Sequence, residues 1–251
     1  LIVKLDHWVM KHSSAVVVVD DNRLVGVPEH LLDKAHVIYN CPPDSVDNDQ
    51  NLDIIPEYDI VALGHLADYR GINLLLDASD AIPELKVVIA GRTSDKALED
   101  RICSSPQVDV RGWISPEEAR DLCIRSKLVY SLYDPSIEIN RRAASNKWYD
   151  AMMASRAVLA NVETLNSERI LEWDTGCLVP YGDLDALVTL LDEVRQNPDD
   201  ALAKGRKGRH LFETQYNWGL MEQRIAKILE GVIVAKTQNA RTSKFAKHSN
   251  P

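Results

Sequence analysis

Residues 108–132, VDVRGWISPEEARDLCIRSKLVYSL, place two short β-rich runs on either side of a helix signal. The runs are VDVR (108–111) and KLVYSL (127–132), brief, rich in branched apolar residues and bounded by polar turns, as buried parallel strands are. Between them Ser115 is an N-cap, Pro116 takes the first helical position and Glu118 completes a capping box. Ala119, Leu122 and Cys123 then fall on one helix face. The alternation continues outward in both directions, with DIVAL (59–63) and KVVIA (86–90) before this stretch and RAVLA (156–160) after it. Further on, Asp183 caps a helix whose Leu184, Leu187, Val188, Leu191 and Val194 recur at helical spacing. Strands alternating with amphipathic helices predict an α/β domain, a Rossmann-like parallel sheet with helices on both faces.

Residues 1–40 read differently. A helical start to about Lys11 leads into the strand AVVVVD, a short helix around 28–34 and a second strand, HVIY. Two strands do not make a stable sheet alone, so 1–40 is expected to be the remnant of a preceding domain. The stretch 41–57, CPPDSVDNDQNLDIIPE, is rich in Pro, Asp and Asn and reads as a linker. The main domain is then 58–235, and 236–251 forms a basic tail. That tail holds Lys236, Arg241, Lys244 and Lys247 with no acid, and is expected to be solvated and frayed. A peripheral contact with an acidic membrane surface is its sharper reading.

The chain has 251 residues, enough for a core that needs no staples, and 27% charged residues, ordinary for a soluble protein. Its net charge of −9 argues against nucleic acid as a partner. No apolar run is long enough to span a bilayer. Cys41, Cys103, Cys123 and Cys177 lie far apart without a CxxC pair, which suggests reduced thiols, a cytoplasmic setting and no zinc site. Leu1 in place of Met suggests a piece of a longer chain.

Three expected strands end in glycine: Leu63-Gly64-His65, Ala90-Gly91-Arg92 and Arg111-Gly112-Trp113. Ligands of open parallel sheets bind outside the carboxyl ends of strands, where glycine lets a ligand approach the backbone. His65 and Arg92 suit that edge to an anion, although none of these turns forms GxGxxG or a Walker loop. A second cluster runs from Asn140 through Arg142, Ser145, Asn146 and Lys147 to Asp150. Ser145 or Asn146 is expected to cap a helix that carries Lys147 and Asp150 on one face. A helix N-terminus with nearby cations is a natural phosphate seat. The plain alternative is a solvated basic turn with an intrahelical Lys147–Asp150 pair.

In order along the chain, VALGHLADYRGINLLLDAS (61–79), ELKVVIAG (84–91), VDVRGWISPEEARDL (108–122), the 140–160 segment, GCLVPYGDLDALVTLL (176–191) and YNWGLMEQRI (216–225) follow one pattern. Over about 58–231 the chain resembles the C-terminal, donor-binding domain of a GT-B fold glycosyltransferase of family 4 (group 1) type. Residues 1–40 resemble the end of the N-terminal Rossmann-like domain of such enzymes. The resemblance implies a retaining transferase that moves a sugar from a UDP- or GDP-sugar to an acceptor hydroxyl, without a metal or other cofactor. The acceptor is a glycan or a lipid-linked sugar, the product a polysaccharide or glycoconjugate, and the setting the cytoplasm or the inner membrane face. Catalysis needs both domains, so this chain alone is expected to be inactive.

Arg70 matches one of two basic residues that hold the donor diphosphate in the family, and His65 stands where the other, usually Arg, is found. A histidine there implies a pH-dependent grip. Arg70 and Lys147 are thereby implied as the catalytic cations, with Gly64 and Gly91 beside them. Arg111, Trp113 and Ile114 match the segment bordering the nucleobase, and Asp150 stands where a Glu binds the ribose. Arg142 replaces a Glu that faces the donor sugar, while Asn140 with Ser145-Asn146-Lys147 fits a subgroup with an Asn and a Pro-Asn-Lys-like turn. Ser155-Arg156-Ala157 replaces the usual Gly-x-Pro. The alternatives are a non-catalytic nucleotide-sugar-binding module and an interaction-only Rossmann-like domain.

Overall fold

The computed structural model describes residues 2–44, 54–143 and 145–248. The elements, in chain order, begin with α1 (Ile2–His12), β1 (Val16–Val18), β2 (Ala35–Val37), β3 (Tyr58–His65), α2 (Ile72–Ala81), β4 (Val87–Arg92) and α3 (Lys96–Ser104). They continue with β5 (Val108–Gly112), α4 (Pro116–Ile124), β6 (Ser126–Ser131), α5 (Glu138–Arg141), α6 (Asn146–Met153) and β7 (Ala157–Asn161). The last are α7 (Ser167–Glu172), β8 (Gly176–Val179), α8 (Leu184–Gln196), α9 (Asp199–Thr214) and α10 (Trp218–His248). Two compact units result, one of Leu1–Asn40 with Trp218–Pro251 and one of Cys41–Asn217. The domain limits expected from sequence fall at 40, 57 and 235. The middle of the expected linker, 45–53, lies outside the described residues.

The larger unit is built on six parallel strands in the order β5-β4-β3-β6-β7-β8. Strand alternation sends Ile60, Ile89, Leu128 and Leu159 into one apolar layer with Leu75 and Leu76 of α2 and Leu187 and Leu191 of α8. The intervening positions Val61, Val88, Val129 and Val158 lie side by side in register and are fully buried on the opposite face, where α4, α6 and α9 pack. Both faces are therefore apolar, which is why these strands read as continuous hydrophobic runs. The Ser115 capping box forms: Ser115 Oγ accepts from the Glu118 N–H at 3.2 Å, and the Glu118 carboxylate accepts from the Ser115 N–H at 2.8 Å. Asp183 caps α8 by accepting from the Ala186 N–H at 2.9 Å. α9 approaches the turn before β7 so closely that a β-carbon on Gly205 would lie 2.3 Å from the Ser155 carbonyl oxygen.

In the smaller unit, β1 and β2 form a two-stranded parallel sheet, with Val16 paired to Ala35. Val16, Val27 and Leu31 make a small cluster, whereas Val17 and Val19 face out. The helix expected around 28–34 is a 3-10 helix, Glu29–Lys34. The expected frayed tail is instead helical through His248, since α10 continues over residues that favour helix and contain no Pro. Among the described residues, no helix is long and apolar enough to cross a membrane.

Candidate functional site

The strand order reverses between β3 and β6, because the connections leaving these neighbours run to opposite sides of the sheet. Ligands of open α/β sheets bind in the crevice outside the carboxyl ends of the strands at such a point. A cleft of about 510 Å³ opens there. Its floor is Gly64 and His65 from β3 with Gly91 and Arg92 from β4, paired residue for residue. One wall is Trp113, Ile114 and the capped start of α4, and the other is the α6 face bearing Lys147 and Asp150. Gly91 permits the floor to close, since a β-carbon there would lie 1.8 Å from the Gly64 carbonyl oxygen.

Lys147 reaches toward the end of β3, its Nζ 3.5 Å from where a β-carbon on Gly64 would sit. Lys147 and Asp150 share the cleft, and no ion pair joins them among the described residues. Burial pushes the Asp150 carboxyl above the ordinary aspartate value, with Lys147 and Arg120 pulling the other way. Against the cleft lies a smaller recess shared by His65, Arg70, Ser131, Tyr133 and Lys147. The Arg70 guanidinium carbon stands 4.4 Å from the Tyr133 ring centroid, and its buried Nε has no hydrogen-bond partner. On the opposite lip, the Arg92 guanidinium stands 5.2 Å from the ring centroid of the exposed Trp113. Three cations, Lys147 and Arg92 in the crevice and Arg70 in its adjoining recess, thus converge with a desolvated carboxylate and an aromatic lip, an arrangement fitted to an anionic ligand with a planar end.

The cleft brings together Gly64, His65, Gly91, Trp113, Ile114, Lys147 and Asp150, with Arg70 in the adjoining recess. Ser145 precedes α6 but does not cap it with its side chain. Its hydroxyl instead lies 2.7 Å from Ser131 Oγ at the end of β6 and accepts from the Tyr133 hydroxyl at 3.1 Å. Arg111, Asn140, Arg142 and Asn146 do not line the cleft. Arg111 pairs with Asp109 at 2.6 Å, two residues back on the same strand face, and donates to Tyr58 at 3.2 Å. Asn140 donates to the Asp134 carbonyl at 3.0 Å, Arg142 lies 3.9 Å from Glu138, and Asn146 faces solvent. Arg92, expected at the anion-binding edge, lines the cleft too, whereas Ser115, Pro116, Ala119 and Tyr133 belong to the site without having been singled out for it. Arg92 follows Gly91 as His65 follows Gly64, a parallel that marks it.

A larger cavity, about 700 Å³, lies at the other end of the sheet near Lys127 and Arg156. Three of its cations are engaged: Lys127 with Asp59 at 2.7 Å, Arg209 with Asp44 at 2.9 Å and Glu213 at 2.7 Å, and Arg156 with the Ile124 and Ile54 carbonyls. The four cysteines are free thiols, and burial raises the Cys123 thiol far above its ordinary value, which leaves it unreactive.

A parallel sheet of this order, with a crevice at its switch point, defines a Rossmann-like α/β domain. The glycosyl transferase-like family profile matches residues 70–230, and the chain belongs to that family. No curated protein sequence matches it. Among solved structures, it is similar to HepE of Anabaena in complex with UDP-glucose, with 14% identity, a TM-score of 0.69, and 91% of this chain and 67% of that chain covered. It is also similar to sucrose-phosphate synthase from Thermosynechococcus elongatus, with 16% identity, a TM-score of 0.66, and 93% of this chain and 62% of that chain covered. The C-terminal domain of the glycosyl transferase group 1 family protein LpcC from Francisella tularensis matches with 18% identity and a TM-score of 0.52, covering 70% of this chain and 96% of that one. The chain therefore spans roughly two-thirds of the length of the first two structures.

Proposed function

We propose that this chain carries the donor-binding half of a retaining glycosyltransferase that uses a nucleotide diphosphate sugar. The observation that carries the reading is the convergence of Arg70 and Lys147 on the same edge as the desolvated Asp150, none of them in an ion pair among the described residues. A diphosphate between Arg70 and Lys147 would put the nucleoside toward Asp150, whose carboxylate would accept from the ribose hydroxyls, and toward Trp113 and Ile114, which would flank the base. HepE binds UDP-glucose and UDP, which favours a uridine nucleotide as the first ligand to try.

In the transfer, the bond from the anomeric carbon to the diphosphate oxygen breaks with its electron pair leaving on the diphosphate. The acceptor oxygen bonds to the same face of that carbon and passes its proton to the departing diphosphate oxygen. Charge grows on the diphosphate, so fixed cations that bind it more tightly late than early lower the barrier. Arg70 and Lys147 would do this work. The acceptor would be a glycan or a lipid-linked sugar.

The test is calorimetric titration with UDP, GDP and inorganic pyrophosphate. Charge-assisted contacts are worth about 1.5–3 kcal/mol, so Arg70→Ala is expected to weaken nucleoside diphosphate binding at least about tenfold. Asp150→Ala is expected to weaken UDP but not pyrophosphate, and Lys236→Ala neither. Equal UDP affinity for wild type and Arg70→Ala would remove the phosphate seat from this edge. Sugar turnover by the full-length protein separates a transferase from a binding module.

A further inference from the structure

Tyr133 touches both halves of the proposed anion seat. Its ring face carries the Arg70 guanidinium at 4.4 Å, and its hydroxyl donates to Ser145 Oγ at 3.1 Å, the residue from which α6 and Lys147 start. Ser145 is tied in turn to Ser131 at the end of β6, at 2.7 Å. Tyr133 is itself clasped by Asn161 of the neighbouring strand, which accepts from the Tyr133 N–H at 2.9 Å and donates to its carbonyl at 3.2 Å. The ring is buried, so its position is set by packing as well as by these bonds.

The choice of an aromatic ring has a chemical consequence. A carboxylate would hold an arginine in place but cancel its charge and occupy its donors. A ring face holds the guanidinium by its flat side and leaves the in-plane N–H groups unspent. Arg70 fits that description, with its buried Nε unpartnered and no ion pair to a carboxylate among the described residues. Freezing a long side chain before the ligand arrives removes that entropy cost from binding.

We propose that Tyr133 is the positioning residue of the anion seat, holding Arg70 through its ring and the start of α6 through its hydroxyl so that both cations meet one diphosphate. The proposal rests on reading the cleft as a diphosphate site, and its test separates the two. Tyr133→Leu and Tyr133→Phe, each alone and combined with Arg70→Ala, are titrated with UDP, inorganic pyrophosphate and uridine.

Tyr133→Leu is expected to weaken UDP and pyrophosphate by the same factor, about five- to tenfold, and to leave uridine unchanged. Tyr133→Phe keeps the ring and is expected to recover most of that loss, remaining about twofold weaker. In the Arg70→Ala background, Tyr133→Leu is expected to add no more than the about twofold of the hydroxyl arm, because the ring's contact with Arg70 is already gone. A full additional loss in that background, or an equal loss for uridine, would make Tyr133 a general structural residue and overturn the proposal. Unchanged UDP affinity in Tyr133→Leu, with a loss in Arg70→Ala, would overturn it while leaving the diphosphate site standing. No loss in Arg70→Ala itself would take down the site, and the proposal with it. Should Tyr133→Leu fail to fold, Tyr133→Phe still tests the hydroxyl arm, and UDP affinity equal to wild type would overturn that arm.

Discussion

Substituting Gly91 by alanine tests the cleft floor directly. The new methyl carbon would lie 1.8 Å from the Gly64 carbonyl oxygen and 2.8 Å from its carbon, against atoms of the β3 backbone that cannot rotate away. Restoring contact to the 3.0 Å that real β-carbons respect requires the end of β4 to withdraw by more than 1 Å. That withdrawal disrupts the Gly64–Gly91 and His65–Arg92 pairings. Two strained ladder hydrogen bonds cost about 0.5–1.5 kcal/mol each. Overpacking adds about 1–3 kcal/mol, so Gly91→Ala is expected to lose about 2–6 kcal/mol of stability, centred near 4. Gly112 supplies the control, since it ends the next strand with φ of 60° and has open space around it. Gly112→Ala is expected to cost only the left-handed backbone penalty, about 1–2 kcal/mol. Urea unfolding of both variants, with UDP titration alongside, reads the difference, and Gly91→Ala should also lose the ligand because the floor has opened. Gly91→Ala within about 1 kcal/mol of Gly112→Ala would refute the close-approach argument.

Three further outcomes are expected. Burial raises the folded-state pKa of Asp150 above its ordinary 3.8, so the folded chain holds that proton more tightly and stability falls as pH rises through the window above 3.8. Asp150→Asn should therefore raise the melting temperature at pH 7, with a gain that shrinks on acidification toward about pH 4; a pH-independent gain would contradict this. On α9, Gly205→Ala should destabilise by about 1–3 kcal/mol against the Ser155 carbonyl, whereas Gly208→Ala, which meets the Met152 side chain at 3.3 Å and its α-carbon at an ordinary 3.5 Å, should be neutral or stabilising; equal unfolding midpoints would show that α9 can shift freely. Ser155 adopts φ of 56° where glycine is at ease, so Ser155→Gly should gain about 1 kcal/mol, read by the same unfolding curves.

Much of the larger unit was legible because its strands are buried on both faces and its helices carry strong caps. Ser115 and Asp183 announce α4 and α8 through side chains that bond their own backbone, a local signal that tertiary context did not override. β8 escaped notice because Gly176–Val179 is four residues long and opens on glycine, too short for periodicity to register. At the site, residues that stay at the end of a strand or on a helix face were easier to place than those whose side chains are claimed by a neighbour. Arg111 shows why: Asp109 lies two positions before it, so strand alternation puts the two on one face and their pairing was foreseeable. Ser145 has the sequence of a cap, but whether its hydroxyl turns to the helix or to Ser131 depends on where β6 ends, which local sequence does not encode. Tyr133 gave no signal, since its contacts with Arg70, Ser145 and Asn161 exist only once three distant segments meet.

The Arg92–Trp113 pair at the lip of the cleft also gives the protein an optical handle. Of the five indoles, Trp113 is the most exposed, at 68%, while Trp148 is buried and stacked on Trp173 with centroids 5.5 Å apart. Emission from the stacked pair reports the interior, whereas Trp113 emits from water beside a guanidinium. A base settling against Trp113 would displace that water and quench or blue-shift its red-edge fluorescence, leaving the interior signal unaltered. Replacing Trp8 and Trp218, the other well-exposed indoles, by phenylalanine would leave Trp113 to dominate that red edge. Cleft occupancy then becomes readable in a cuvette, in real time and without a label, for each nucleotide in turn.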